Sequence, residues 1–362
     1  MDFSFTEEQE AIGALARQIF EGHATVERVR QVEGSGDRFD RELWQRLADA
    51  DLLGLVVPVA CGGGGFGEIE MCLLLEAQGR VVAPVPLLST LACAMTLGRF
   101  GADQHRELLA GVATGDVVLC AAVSEAGAGD LLRPRTVADE GPSGWTLTGT
   151  KVSVPWAHVA SGLIVTSAAG VFLVDPTGPG VKLDRAETTN RELHAHVQLD
   201  RAPARRVGGP EAVEYLVARL LVGLCALQVG VAEAALAMTA TYTSQRKQFG
   251  KPLSAFQGVA LKAADAYIDT EAMRVTMLQA AWRLSIGEDA WPEVLVAKWW
   301  AAEGGQRVVH VTQHLHGGIG ADVEYPVHRY FLWGKQIEDT LGGASETLAR
   351  LGTLIGEGRA CR

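Results

Sequence analysis

The sequence has less positive than negative charge, and its basic residues form no cluster. Among 362 residues there are 32 lysines and arginines against 43 aspartates and glutamates, which gives a formal net charge of -11. Nucleic-acid binding relies on a cationic face that releases counterions from phosphates. We therefore expect no nucleic-acid partner.

The sequence also lacks the cysteine spacing of metal and redox motifs. No C-x-x-C pair occurs, which favours reduced, mostly buried thiols and predicts neither a disulfide nor a zinc knuckle. The six cysteines are Cys61, Cys72, Cys93, Cys120, Cys225 and Cys361. The first ten residues, MDFSFTEEQE, contain neither a basic n-region nor an apolar h-region, so we expect a cytoplasmic protein.

Several other signals are missing. The longest apolar run, residues 216 to 238, carries Arg219, Gln228 and Glu233, which predicts a buried helix and no membrane span. The glycines at 62 to 65 are not followed by G-K-[ST], so they indicate a flexible connection and not a phosphate loop. No G-x-S-x-G motif supports an acyl hydrolase.

What the sequence contains is enough apolar side chain for a large core, with 48% hydrophobic and 21% charged residues. Residues 5 to 111 have helical periodicity, with Leu43, Leu47 and Leu52 at helical offsets. Residues 116 to 199 contain short β-rich runs separated by Gly, Pro and Asp. From Pro210 the helical pattern returns.

This order predicts an α+β protein of three domains, because no strand–helix alternation supports a doubly wound sheet. We expect an N-terminal helical domain at residues 1–114, a central antiparallel β domain at 115–207 and a C-terminal four-helix bundle at 208–362. The bundle helices are predicted near 210–245, 255–286, 292–316 and 329–356.

Two segments of the last domain carry a resemblance to a known family. SQRKQFGKPLSAFQ, residues 244 to 257, resembles the R-K-x-F-G-K-x-L segment of acyl-CoA dehydrogenases, and QHLHGGIGADVEYPVHR, residues 313 to 329, resembles their Q-x-x-G-G-x-G-x-x-x-E-Y-P segment. With the order of helices, sheet and helices, the resemblance covers nearly the whole chain. It implies an acyl-CoA dehydrogenase-like fold.

The resemblance also implies cofactor contacts. An FAD pyrophosphate binds a cationic fork and closely approaching backbone, and its adenosine end favours an aromatic or amide wall. The positions that match the family's contacts are Arg246, Phe249, Gln257, Gln313, Gly317 and Gly318. In the family this set reaches the FAD of a neighbouring subunit, which implies a shared cofactor and at least a dimer, with four chains expected. A helix C-cap and a glycine hinge without a ligand are the alternative.

The half of the flavin site that a chain provides for itself departs from the family. SEAGAGDL, residues 124 to 131, matches T-E-P-G-A-G-S-D, so Ser124 keeps a hydroxyl but Asp130 replaces a pyrophosphate-binding serine. A carboxylate about 4 Å from a phosphate is repelled by roughly 1 to 4 kcal/mol. KVSVP, residues 151 to 155, matches K-x-W-I-T, so Ser153 replaces an aromatic wall and Pro155 removes a hydroxyl and a backbone donor. A register shift that brings in Trp156 is the alternative.

Neither family position for the catalytic base holds a carboxylate. In the family, the catalytic glutamate of the E-G-T motif lies six residues after the position that matches Lys335. In this sequence that position is Leu341, and Gly343 stands in place of the motif's threonine. The second position, immediately before an arginine in the first bundle helix, holds Ala218. Removal of an α-proton requires a base, which contributes about 10²- to 10⁴-fold. Glu338, one turn before Leu341, is either a displaced base or a solvated side chain.

The leading hypothesis is therefore a subunit without a catalytic residue of its own, resembling the non-catalytic subunit of two-gene actinobacterial acyl-CoA dehydrogenases. The resemblance implies a homologous partner with the catalytic glutamate, an acyl-CoA substrate with a steroid side chain as the suggested class, and an electron-transfer flavoprotein as acceptor. A stand-alone flavin-dependent monooxygenase and a flavin-free structural homologue are the alternatives. A metal site at His310, His314 and His316 is disfavoured, because no third ligand with a clear second shell accompanies them.

Overall fold

The structure is a computed structural model that describes residues 4–127 and 130–359. Its helices are α1 (Glu7–His23), α2 (Val26–Glu33), α3 (Arg41–Asp49), α4 (Glu68–Val81), α5 (Leu87–Gly101), α6 (Arg106–Ala113), α7 (Pro210–Gln245), α8 (Gln257–Ser285), α9 (Trp291–His316), α10 (Val327–Asp339) and α11 (Ala344–Gly356). Its strands are β1 (Leu119–Ala122), β2 (Val137–Gly141), β3 (Gly144–Pro155), β4 (Gly162–Ser167), β5 (Gly170–Val174), β6 (Val181–Glu187), β7 (Leu193–Gly208), β8 (Lys247–Gln248) and β9 (Lys251–Pro252).

Two compact units make up the fold. The helical unit contains the described residues of Met1–Glu27, Cys72–Ala83 and Leu221–Arg362, and the sheet unit contains Arg28–Met71 and Pro84–Leu220. The element order of helices, strands and helices confirms the predicted fold class. The five described cysteines are buried and free, whereas Cys361 lies outside the described residues.

The central sheet is mixed, where the sequence predicted an antiparallel sheet. Its seven strands run in the order β1-β4-β5-β7-β3-β2, with β6 also paired to β7. Strand β1 pairs with β4 in parallel, and the other pairs are antiparallel. A parallel pair requires a long crossover, and β2 and β3 lie in the chain between β1 and β4.

A buried ion pair fixes the loop after β1 to β3 in the sheet unit. Lys151 Nζ donates to Glu125 Oε1 at 2.6 Å and to Thr166 Oγ1 at 3.0 Å. Burial lowers the pKa of Lys151 to about 8, although Glu125 opposes that change. Glu125 also accepts from the backbone and hydroxyl of Thr136. Because a buried charge is tolerated only when it is paired, these contacts hold the segment that contains Ser124.

In the helical unit, α9 packs against α8, α10 and α11. Glycines let α4 and α7 approach closely, since a Cβ at Gly79 would lie 2.2 Å from Leu227 O and one at Gly230 would lie 2.1 Å from Glu76 O. Helix α7 is long and apolar enough to cross a membrane by length and composition, but 78% of its most apolar window is buried within the protein. Such burial is typical of a core helix.

The last predicted helix, 329–356, is two helices in the structure. Helix α10 ends at Asp339 and α11 begins at Ala344. Leu341 has φ of 59° and Gly342 has φ of 113°, so the chain leaves the right-handed helical region at these two residues. The apolar periodicity that continues on either side hid this break from sequence reasoning.

Lys298 of α9 stabilises the break between α10 and α11. Its side chain is fully buried, and Nζ donates to Ile337 O and Glu338 O, each at 3.0 Å. These carbonyls belong to the last turn of α10, where no further helical N–H is available to them. A cation also interacts favourably with a helix C-terminus. Burial lowers the pKa of Lys298 from 10.5 to about 8, although nearby Cys225 and Asp339 oppose that change.

This burial predicts a measurable pH dependence. Between about pH 8 and pH 10.5 the unfolded chain keeps the lysine proton that the folded chain has released, so the free energy of unfolding rises with pH. We expect the wild type to gain about 3 kcal/mol relative to Lys298→Met across this window, measured by urea unfolding. If the free energies of unfolding of the two proteins changed equally with pH, the lowered pKa of Lys298 would be contradicted.

Candidate functional site

The first resembling segment forms a short hairpin after α7. Strands β8 and β9 pair through Lys247–Pro252 and Gln248–Lys251. The two turn residues, Phe249 and Gly250, have φ of 51° and 80°, which is the backbone of a type I′ turn. Glycine adopts this conformation freely, but phenylalanine does so at a cost of roughly 1 kcal/mol or more.

Phe249 gains little from its own fold in return for this cost. Its side chain is 92% exposed, and its one described ring contact is the edge of Phe256, with centroids 6.3 Å apart. Lys251 Nζ lies 4.3 Å from the ring centroid of Phe256, the residue that precedes α8. A strained and exposed aromatic residue suits binding to something outside the chain.

Arg246 stands at the base of the hairpin, immediately after α7. Its backbone is fixed, because its N–H donates to Tyr242 O and its carbonyl accepts from Leu253 N, both at 2.9 Å. Its side chain is exposed, and no described residue pairs with its guanidinium. Gln257, the first residue of α8, is also exposed. The segment therefore presents a free cation, an aromatic ring and an amide.

The second resembling segment begins in α9. Gln313 Nε2 donates to Gly320 O at 3.1 Å, which fixes the turn that follows the helix. Gly317 has φ of 64° and ψ of -143°, a backbone conformation that glycine adopts readily. A Cβ at Gly317 or Gly318 would meet no other atom within 4 Å, so the backbone of both residues is open to a ligand.

A cluster of three aromatic rings joins the two segments. The ring of His316 stacks on Tyr242 of α7, with centroids 4.6 Å apart and planes at 25°, and lies 5.2 Å from the ring of Tyr325. His316 Nδ1 lies 2.8 Å from Thr312 O, and burial lowers the pKa of this imidazole, which favours its neutral form. Tyr242 precedes Arg246 by one helical turn, so the stack brings both segments to one end of the helical unit.

Sequence reasoning missed this cluster. It considered His316 only as a metal ligand, and among residues 4–127 and 130–359 no group of three or more His, Cys, Asp and Glu side chains is arranged to hold a metal ion. The signal that was available is the position of the residues, because Tyr242 lies two residues before the first motif and His316 lies within the second, next to Gly317.

The matches to known proteins cover the same segments. A family model described as the acyl-CoA dehydrogenase C-terminal domain matches residues 213–353, and one described as the N-terminal domain matches residues 6–116. Acyl-CoA dehydrogenase FadE27 of Mycobacterium tuberculosis is 39% identical, with 99% of each chain covered. The chain belongs to the acyl-CoA dehydrogenase family.

Other relatives agree with this membership. Acyl-CoA dehydrogenase FadE28 of Mycobacterium tuberculosis is 34% identical over 97% of this chain and 98% of its own length. A variant of the Tcur3481-Tcur3483 steroid ACAD has a TM-score of 0.94 at 50% identity, with 97% of this chain and 98% of that chain covered. The ChsE4-ChsE5 complex of Mycobacterium tuberculosis has a TM-score of 0.94 at 38% identity, with 99% of each chain covered.

Within this acyl-CoA dehydrogenase fold, the two predicted base positions hold apolar side chains. Leu341 lies in the break between α10 and α11, and Ala218 is buried in α7. Two nearby carboxylates are ion-paired: Glu338, three residues before Leu341, with Lys335, and buried Glu68 with Arg219, the residue after Ala218.

The structure also describes the segments at 124–131 and 151–155, which match the half of the flavin site that a family member provides for its own FAD. Ala128 and Gly129 lie outside the described residues. Asp130 turns back on its own loop, where Oδ1 accepts from Leu132 N at 2.9 Å and Oδ2 lies 3.5 Å from Arg133 Nε. Trp156 is buried, with its ring 6.0 Å from that of Phe39. Since its ring packs inside the sheet unit, the register shift weighed for Trp156 is not supported.

The exposure of Phe249 yields a prediction. Asn followed by Gly is a preferred type I′ pair, so Phe249→Asn should leave the free energy of unfolding unchanged or raise it by up to about 1 kcal/mol. Phe256→Asn is the matched control and should destabilise the protein, because Phe256 is half-buried beneath Lys251. A loss above about 1 kcal/mol for Phe249→Asn in urea unfolding would mean that the ring supports its own fold.

Proposed function

We propose that this chain is a subunit of a hetero-oligomeric FAD-dependent acyl-CoA dehydrogenase and holds the cofactor of a homologous partner that carries the catalytic glutamate. One observation carries the proposal: the exposed, unpaired guanidinium of Arg246 and the exposed ring of Phe249 occur in a chain whose two predicted base positions are Leu341 and Ala218. The residues assigned to the partner's FAD are Arg246, Phe249, Gln257, Gln313, Gly317 and Gly318.

The chemistry of this set suits FAD. The free guanidinium of Arg246 can bind a phosphate by two N–H donors, and the open backbone at Gly317 and Gly318 permits close approach of a pyrophosphate. Phe249 offers an aromatic face to the adenine, and Gln257 offers an amide. When bound, FAD accepts the electron pair removed from the acyl thioester. The residues of this chain bind and orient the nucleotide and remove no proton.

An exposed face of α8 supports a partner chain. Leu261, Ile268, Val275 and Trp282 recur every seven residues along the helix, and each is between 43% and 63% exposed. A seven-residue apolar repeat is the pattern of a seam between two helices. A row of large exposed apolar side chains along one helix indicates an interaction surface. We assign it to the homologous subunit, in an assembly of four chains.

Similar proteins support the same reading. The two solved structures reported above are named for pairs, Tcur3481-Tcur3483 and ChsE4-ChsE5, and the first is named a steroid ACAD. We propose an acyl-CoA thioester as substrate, with a steroid side chain as its acyl class. We further propose a cytoplasmic complex that passes electrons to an electron-transfer flavoprotein.

Co-expression tests the proposal. The chain is purified alone and together with each homologous subunit encoded beside it, and flavin absorbance and acyl-CoA oxidation with an artificial acceptor are measured. We expect flavin and activity only in the pair. Arg246→Ala should weaken FAD retention by roughly 10- to 150-fold, because a hydrogen bond to a charged group is lost, whereas Lys247→Ala is the neighbouring control.

The same experiment includes Leu341→Glu in the isolated chain. We expect this variant to stay colourless and inactive, because a restored carboxylate does not supply a flavin. A yellow and active homodimer of the wild type would refute the heteromer, and flavin loss equal in Lys247→Ala and Arg246→Ala would refute the role of Arg246. A colourless pair would favour a flavin-free structural protein.

A further inference from the structure

The segment around Ser153 in the sheet unit combines backbone strain with an exposed hydroxyl. Ser153 and Trp156 have φ of 52° and 59°, although neither is glycine. The β3–β7 register shifts between Lys151 and Val154, so Ser153 lies in a bulge. Bulges redirect side chains, and strained residues concentrate at functional sites. Ser153 is exposed to solvent.

The hydroxyl of Ser153 contacts His194, and the carboxylate of Glu192 lies on the other side of the His194 ring. Ser153 Oγ lies 3.0 Å from His194 Nδ1, and His194 Nε2 lies 3.5 Å from Glu192 Oε2. His194 is buried, whereas Glu192 is half-buried. The order carboxylate, imidazole and hydroxyl is that of a nucleophile with its base and an orienting acid, with the two ring nitrogens exchanged relative to serine proteases.

Glu192 biases the tautomer through its charge and not through a hydrogen bond, because Glu192 Oε2 lies 3.5 Å from His194 Nε2 and this nitrogen has no hydrogen-bond partner among the described residues. A nearby carboxylate favours the tautomer that carries its proton on Nε2. Nδ1 is then unprotonated and accepts the Ser153 hydroxyl proton. The opposite tautomer would donate from Nδ1 to Ser153 O, which lies 3.1 Å away. The balance between these tautomers sets the reactivity of Ser153.

We propose that Ser153 is a nucleophile that accepts an acyl group from an acyl thioester, with His194 as its general base and Glu192 as a positioning residue. This site is independent of the shared FAD, since it involves no oxidation or reduction. The sequence contains no G-x-S-x-G motif, so the inference depends on the bulge and on the His194 contact.

The reaction balances within these groups and water. Ser153 Oγ attacks the thioester carbonyl while its proton moves to His194 Nδ1, and a C–O bond forms. The C–S bond then breaks, the leaving thiolate takes the proton from His194, and Ser153 is acylated. Water, deprotonated by His194, attacks the ester and releases a carboxylic acid, and the proton returns to Ser153 Oγ.

Turnover should be slow, because the nearby backbone donors are occupied. Val152 N–H donates to Ser124 O, Ser153 N–H points to His196 Nδ1, and Trp156 N–H donates to Leu193 O. Pro155 has no N–H. Oxyanion donors typically contribute 10²- to 10³-fold. Acylation of Ser153 is therefore more readily observed than multiple turnover.

A fluorophosphonate probe tests the nucleophile on the full flavin-free chain. We expect one covalent adduct per chain, mapped to Ser153 by peptide mass spectrometry, and thiol release from acetyl-CoA that stops after about one equivalent or continues slowly. Ser153→Ala should abolish both signals. His194→Gln should lower the labelling rate by roughly 100-fold or more, and Glu192→Gln should lower it less.

Ser143→Ala is the control, since Ser143 is an exposed serine in the turn between β2 and β3. It should label at the wild-type rate, and circular dichroism should show all variants folded. An adduct absent from Ser153, or labelling of His194→Gln at the wild-type rate, would overturn the proposal. Because the chain carries no FAD in this assay, the outcome does not depend on the heteromer.

Discussion

The stack of His316 on Tyr242 is the interaction on which the candidate site depends. The hairpin with Arg246 and the open glycines at 317 and 318 are more than sixty residues apart in sequence, and only side-chain packing makes them one surface. His316 is buried and Tyr242 is half-buried, and no ion pair to His316 is present among the described residues. Tyr325 adds a third ring and fixes the chain that leaves the glycines.

Two groups of this surface make few contacts within the chain itself. Phe249 occupies a strained turn without burying its ring, and Arg246 holds no described carboxylate. At the same time, the break that Lys298 stabilises presents Leu341, which cannot accept a proton. This division fits a protein whose binding groups serve another subunit, because paired subunits allow one working site per pair.

Sequence reasoning located the two binding segments because Arg, Phe and paired Gly residues carry recognisable chemistry at fixed spacing. It also obtained the order of helices and strands from periodicity. It could not find the parallel β1–β4 pair, since register between distant strands depends on tertiary packing. The break at Leu341 was missed because non-glycine residues seldom adopt positive φ, and His316 was misassigned because its role depends on Tyr242, seventy-four residues away. The site residues themselves remain predictions.

The most direct measurement is the ratio of FAD to protein chains in the purified hetero-oligomer, determined from flavin absorbance after denaturation and from amino-acid analysis. If only the glutamate-bearing partner binds FAD in its own pocket, and this chain supplies the contacts around Arg246, the hetero-oligomer contains one FAD for every two chains. This is the ratio that we predict. One FAD for every chain would show that the sheet unit around Asp130 and Ser153 also holds a flavin, and would contradict the account.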